Sequence, residues 1–230
     1  MVVSASLAAC TWPEVRAGVA VLAVPLGSCE QHGPHLPLST DTLVAVALCD
    51  GLARHRGDVA VAPAIGVGAS GEHEGFAGTL SVGTDALAAS LTELVRSARA
   101  WARAVVVVSG HGGNADALAH VTRTASHEGD AVVAYVPRLE GADAHAGRTE
   151  TSLVLALAPG LVRHNEIVVG NTAPLGELAS TLRRDGVAAV SESGVLGDPR
   201  GATAEEGQRL LATLVSDLCD TVDARLGARR

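Results

Sequence analysis

The chain has 230 residues, 47% of them hydrophobic but only 2% aromatic, and 17 basic side chains against 25 acidic ones give a net charge of −8. That length suits one domain over residues 1–230, its core filled by Ala, Val and Leu. The charge, with no basic run beyond Arg183-Arg184 and Arg229-Arg230, argues against a positive nucleic-acid-binding face.

No apolar run approaches the ~20 residues of a membrane span. Cys10, Cys29, Cys49 and Cys219 are scattered without a CxxC pair and read as free thiols in a reducing, cytoplasmic setting. Leu7-Ala8-Ala9-Cys10 has the look of a lipoprotein cleavage site. Nothing basic precedes it, and Ser4 and Ser6 interrupt its short apolar run, so a leader is not expected.

The predicted elements alternate along the chain. A short helix starts at Trp12 and runs to Arg16, with Thr11 as its cap and Pro13 in its first turn. VAVLAVPL at 19–26 is an apolar run of strand length, and helical spacing from Thr40 or Asp41 continues to Leu52. A strand is expected over Asp58–Ile65, then a glycine-rich loop over Gly66–Gly83 and a helix over Thr84–Ala102. Ala104–Val108 reads as a buried strand, Gly110–Gly113 as a tight turn, and Asn114–Glu128 as a helix. Ala131–Val136 is a fourth strand and Thr149–Leu157 a helix. Ile167–Val169 is expected as a strand, and Leu175–Arg184 and Ala204–Arg225 as helices. Apolar strands alternating with helices predict an α/β fold, a mostly parallel central sheet in a three-layer α/β/α sandwich. In such a fold the site lies at the carboxyl ends of the strands.

Three of those ends carry unusual chemistry. After the first strand come Glu30-x-His32 and Asp41; after the third, Ser109-Gly110-His111-Gly112-Gly113-Asn114; after the fourth, His145 and Glu150. Glu30 and His32, at i and i+2, share one side of an extended backbone. Histidine and carboxylate without cysteine form a donor set suited to Zn²⁺, Mn²⁺ or Fe²⁺.

Each piece has a plainer explanation. Asp41 could cap a helix, SGHGGN could cradle a phosphate at a helix N-terminus, and Glu150 could complement a helix dipole. A nucleotide-binding α/β domain is thus the rival from another class, but three acids on one rim would repel a phosphate.

The segments EQHGPHLPLSTD (30–41), SGHGGN (109–114) and HAGRTETSLVLAL (145–157) closely resemble the signature segments of the creatininase family of metal-dependent amidohydrolases. Supporting stretches are Glu72-His73 through Thr79 and GVLGDPRGATAEEG at 194–207, so the resemblance covers nearly the whole chain. It implies a three-layer fold and one or two divalent ions, Zn²⁺ foremost, with Fe²⁺ or Mn²⁺ as alternatives. It implies Glu30, His32, Asp41, His111 and Glu150 as ligands, Asp41 bridging, and His145 as the catalytic histidine. It also implies a closed homo-oligomer.

The chain departs from creatininase itself at Gly113, where that enzyme carries a carboxylate, and in its scarcity of aromatic residues for a substrate ring. The short length, the TWPEV opening and the GVLGDPRGAT ending resemble instead a branch that removes a C-terminal dipeptide from a modified ribosomal peptide. The expected substrate is accordingly a small modified peptide, with a small cyclic amide or formamide as the alternative. His35, Gly112, Gly113, His73 and Phe76 are the expected substrate-facing residues, and Cys29 is expected to be packed. The 66–83 loop is expected either to close over substrate or to contact another subunit.

Overall fold

The computed structural model describes residues 6–227. The ends of the expected 1–230 domain, with Ser4 and the Arg229-Arg230 pair, lie outside the described residues. In chain order the main elements are α1 (Trp12–Gly18), β1 (Val21–Leu26), α2 (Thr40–His55), β2 (Val59–Val61), α3 (Thr84–Ala98), β3 (Ala104–Ser109) and α4 (Ala115–Glu128). They continue with β4 (Val132–Tyr135), α5 (Arg148–Leu157), α6 (Leu175–Asp185) and α7 (Ala204–Leu226).

The four strands form an all-parallel sheet in the order β2-β1-β3-β4. Alternation along the central strands explains the layers. Val21, Ala23, Val106 and Val108 face α2, α5 and α7. Leu22, Val24, Leu26, Val105 and Val107 face α3 and α4. Both faces are buried, which is why these strands read as unbroken aliphatic runs. The chain leaves β1 for β2 on one side and returns to β3 on the other. The crevice beyond the carboxyl ends of β1 and β3 is therefore the topological switch point where ligands bind in such sheets.

Pro25 lies in β1 between two neighbouring strands, where a missing N–H normally breaks a ladder. Its carbonyl accepts a hydrogen bond from Ile65 N at 2.9 Å, on the β2 side. Because β2 has already ended at Val61, the absent donor faces a part of the sheet that is open. The expected strand over Asp58–Ile65 is shortened to three residues for a related reason. Pro63 interrupts it, and only Ile65 returns, as an isolated bridge to Leu26.

Two expectations are corrected. The helix expected over Thr84–Ala102 ends at Ala98. Ile167–Val169 is not a strand: no ladder forms there, and Val168 and Val169 remain exposed, so no buried face selects sheet pairing. Gly170 and Asn171 instead donate to Gly197 and Val195. Among the described residues no helix is long and apolar enough to cross a membrane.

Candidate metal centre

Four segments bring the titratable groups together. The loop after β1 supplies Glu30, Gln31 and His32, and the first turn of α2 supplies Asp41. The turn after β3 supplies His111. The segment entering α5 supplies His145 and Glu150. Gly110 permits the closest of these approaches, since a Cβ there would stand 2.1 Å from the Asp41 carbonyl.

Asp41 is not used as a helix cap. Its Oδ2 accepts from Ser28 Oγ at 2.6 Å and lies 3.4 Å from His111 Nδ1, while Oδ1 lies 3.1 Å from His32 Nε2. Glu30 is completely buried; its Oε1 stands 3.1 Å from His111 Nδ1 and 3.3 Å from His73 Nε2. Neither contact has hydrogen-bond alignment, so both Glu30 oxygens lack a hydrogen-bond partner. A buried carboxylate in that state costs several kcal/mol unless a cation compensates it.

The donor atoms fall into overlapping groups, each within 4.8 Å: Glu30 with Asp41 and His111, His32 with Asp41 and Glu150, and Glu30 with His32 and His145. The first two share Asp41, whose two oxygens point to different histidines. The arrangement fits one or two divalent cations, and the all-N/O donor set suits Zn²⁺ or Mn²⁺.

The histidines are oriented by their other nitrogen. His32 Nδ1 lies 3.2 Å from the Glu30 carbonyl, so in the neutral ring Nδ1–H donates there and Nε2 is free to ligate. Burial opposes a charge on His32, but Asp41, Glu150 and Glu30 outweigh it and raise its pKa to about 9. Burial raises Glu150 to about 7, and its Oε2 accepts from Ala146 N at 2.6 Å.

His145 differs from the others. Burial, reinforced by His32 and His73, pushes its pKa well below the ordinary value, so it is neutral. Its Nε2–H donates to the Gln31 carbonyl at 2.7 Å, leaving Nδ1 unprotonated, 4.0 Å from Glu30 Oε1. The backbone is fixed on both sides, by a bridge to Leu196 and by Ala146 at φ 51°, the one non-glycine residue at positive φ among the described residues.

The centre opens into a cavity of about 820 Å³ lined by Asp41, Glu72, His73, His111, His145 and Glu150 at its floor. Gly112 and Gly113 also line it, and α6 forms the far wall. Two of the residues expected to face substrate are elsewhere. His35 is completely buried with Nε2 3.0 Å from Thr151 Oγ1, and Phe76 is half-buried; neither lines the cavity. Cys29 is half-buried, its thiol 3.6 Å from the Gly78 carbonyl.

Gln31 was not singled out by the sequence, because an amide between two candidate ligands carries no motif of its own. Its Nε2 reaches His73 Nδ1 at 2.9 Å and the Gly194 carbonyl at 3.2 Å, so it ties the 66–83 loop to the 187–196 segment.

An α/β/α sandwich with histidines and carboxylates gathered at its switch point defines a class, the metal-dependent hydrolases. The comparisons narrow it. A family model for creatininases, described as creatinine amidohydrolase, matches residues 8–222. The mycofactocin precursor peptide peptidase of Mycolicibacterium smegmatis is 50% identical over 216 residues, 91% of this chain and 87% of that one. The creatinine amidohydrolase of Pseudomonas putida is 29% identical over 246 residues, covering 92% and 94%. A solved structure described as Creatininase Mn superposes with a TM-score of 0.81 at 26% identity, covering 98% of this chain and all of that one.

The chain belongs to the creatininase family. It is an amidohydrolase that acts on C–N amide bonds and uses divalent metal. That membership sets aside the nucleotide-binding alternative.

Proposed function

We propose that the protein is a peptidase that removes the C-terminal dipeptide from a modified mycofactocin precursor peptide. The observation that carries this reading is the 50% identity to peptidases of that name over nine-tenths of the chain. The cavity of about 820 Å³ is of a size that receives a peptide end. We further take Zn²⁺ as the working ion, a homo-oligomer as the assembly and the cytoplasm as the location.

Glu30, Asp41 and His111 would hold one ion, and His32, Asp41 and Glu150 a second. When bound, such ions polarise a carbonyl and lower the pKa of water towards neutrality. The chain's own part is proton handling and orientation. His145 Nδ1, kept proton-free by burial and by the Nε2–H bond to Gln31, takes a proton from the attacking water and returns it to the leaving nitrogen. Gly112, where a Cβ would meet nothing within 4 Å, leaves that part of the cavity wall free of a side chain, so substrate backbone can approach it closely.

Mass spectrometry of a mycofactocin precursor peptide incubated with purified protein, with and without a chelator, tests this. Chelator-sensitive loss of a C-terminal dipeptide is expected. An intact peptide alongside tightly bound metal would overturn the peptide substrate and turn the search to small cyclic amides, as the Pseudomonas relative's name suggests. An intact peptide and no metal uptake would overturn the whole reading.

A further inference from the structure

The 66–83 loop is tied down by hydrogen bonds along its length. Ala69 N donates to Asn114 Oδ1 at 2.9 Å, Ser70 N to Ser81 Oγ at 2.9 Å, and Val82 N to the Gly68 carbonyl at 3.0 Å. Leu80 N donates to the Cys29 carbonyl at 2.8 Å, which pins the loop beside the Glu30 segment. At its crest, Gly71–His73 forms a single 3₁₀ turn that presents Glu72 and His73 to the metal centre. His73 is buried against Glu30, whereas Glu72 approaches from the outer side of His111.

The two nitrogens of His111 have opposite surroundings. Nδ1 faces the acid pair, 3.1 Å from Glu30 Oε1 and 3.4 Å from Asp41 Oδ2. Nε2 lies 3.1 Å from the Ala69 carbonyl and 3.3 Å from Glu72 Oε1. Both neighbours of Nε2 are acceptors only, so the proton of the neutral ring belongs on Nε2, and the Nδ1 lone pair is aimed at Glu30 and Asp41.

A second observation is independent of those distances. A Cβ at Gly113 would stand 2.4 Å from Glu72 Oε1 and 2.3 Å from His111 Nε2. The contact between the two side chains is therefore made where residue 113 has no side chain, and Glu72 still lines the cavity wall.

We propose that Glu72 is a positioning residue of the metal centre: it accepts the Nε2–H of His111, fixing the ring's tautomer and rotation so that Nδ1 ligates. This rests on the reading that Glu30, Asp41 and His111 hold an ion. Carboxylates behind ligating histidines typically contribute 10–100-fold in metal affinity. The carbonyl of Ala69 alone would hold the proton, and Glu72 adds the second acceptor that keeps the ring from rotating away from it.

The test is Zn²⁺ affinity, measured by competition with a chromophoric chelator on metal-free wild type, Glu72→Ala, Glu72→Gln and Gly113→Ala. Co²⁺ absorption spectra of the same proteins report the ligand field directly. Glu72→Ala is expected to lose about 10–100-fold in affinity and to shift the Co²⁺ bands. Glu72→Gln, which keeps an amide oxygen as acceptor, should recover a large part of the loss. Gly113→Ala, whose Cβ would crowd both Glu72 and His111, should weaken binding at least as much as Glu72→Ala.

Wild-type affinity and an unshifted Co²⁺ spectrum in Glu72→Ala would overturn the proposal, as would a Glu72→Gln variant as weak as Glu72→Ala. Failure of the wild type itself to take up Zn²⁺ or Co²⁺ would instead overturn the metal reading beneath it.

Discussion

The two ends of the parallel sheet both bury charge, but in opposite ways. At the amino ends of the strands, buried Arg56 reaches Asp58 at 3.3 and 3.4 Å through Nε and Nη2, and its Nη1 donates to Asp223 and to the Gly227 carbonyl. Arg103 adds a second cation 3.5 Å from Asp58, and His55 Nε2 lies 3.0 Å from Asp223. There, acids and bases close on one another and tie α7 to the start of β2. At the carboxyl ends, the chargeable partners of Glu30, Asp41 and Glu150 are histidines, and Glu30 has no hydrogen-bond partner for either oxygen. A buried cluster that satisfies itself holds the fold together; one left incomplete is built to receive something.

Opposite substitutions can break this comparison. Glu30→Gln should abolish amide hydrolysis, read by product formation at saturating metal. It should not lower the melting temperature of the metal-free protein, because the Glu30 oxygens have no hydrogen bond to lose. His145→Ala should lower kcat by about 10²–10⁴ while bound metal per chain, read by elemental analysis, stays the same. Turnover at the wild-type rate would make His145 a packing residue.

At the other end, Arg56→Leu should destabilise by about 3–5 kcal/mol in urea titration, since it removes the buried guanidinium that Asp58 and Asp223 share. The fraction that remains folded should keep the wild-type kcat. Equal stability losses at Glu30 and Arg56 would erase the distinction between the two ends.

Asp143 provides the smallest effect. Its carboxylate accepts from Arg148 N at 2.8 Å and Thr149 N at 3.1 Å, starting α5 and so placing Glu150. Burial opposes its charge, but these N–H donors outweigh burial and hold its pKa below the ordinary value. The stabilisation is therefore complete above the unfolded value of about 3.9 and is lost as pH falls through the lower folded one. Asp143→Ala should cost about 0.5–2 kcal/mol at pH 7. The gap to wild type should narrow on acidification below pH 4, as read by urea melts at each pH.

Much of this was legible in the sequence. Strands β1 and β3 declared themselves because both of their faces are buried, and the ligand candidates because three short motifs of acids and histidines follow strand ends. What was hidden depended on contacts between distant segments. Gln31 and Glu72 act on histidines 42 and 39 positions away, at His73 and His111, and nothing in their local sequence marks that. Arg56 sits at the end of an ordinary helix, and its partner Asp223 lies far along the chain. Ile167–Val169 misled for the converse reason, because β-branched side chains signal a strand only where a sheet surface is available to bury them.

Strand β3 has a consequence for behaviour outside the native state. Ala104–Ser109, AVVVVS, is uncharged and rich in β-branched residues, the composition of a segment that stacks into cross-β assemblies when uncovered. The fold places it between β1 and β4, two strands from one edge and one from the other, and leaves the edges to strands of three and four residues. Ser6 bridges Val61 and blunts the β2 edge further. The most aggregation-prone stretch of the chain is thus the one least available for pairing while β4 holds. Once heat detaches β4, β3 becomes the edge, so thermal inactivation should be irreversible and should quicken with protein concentration.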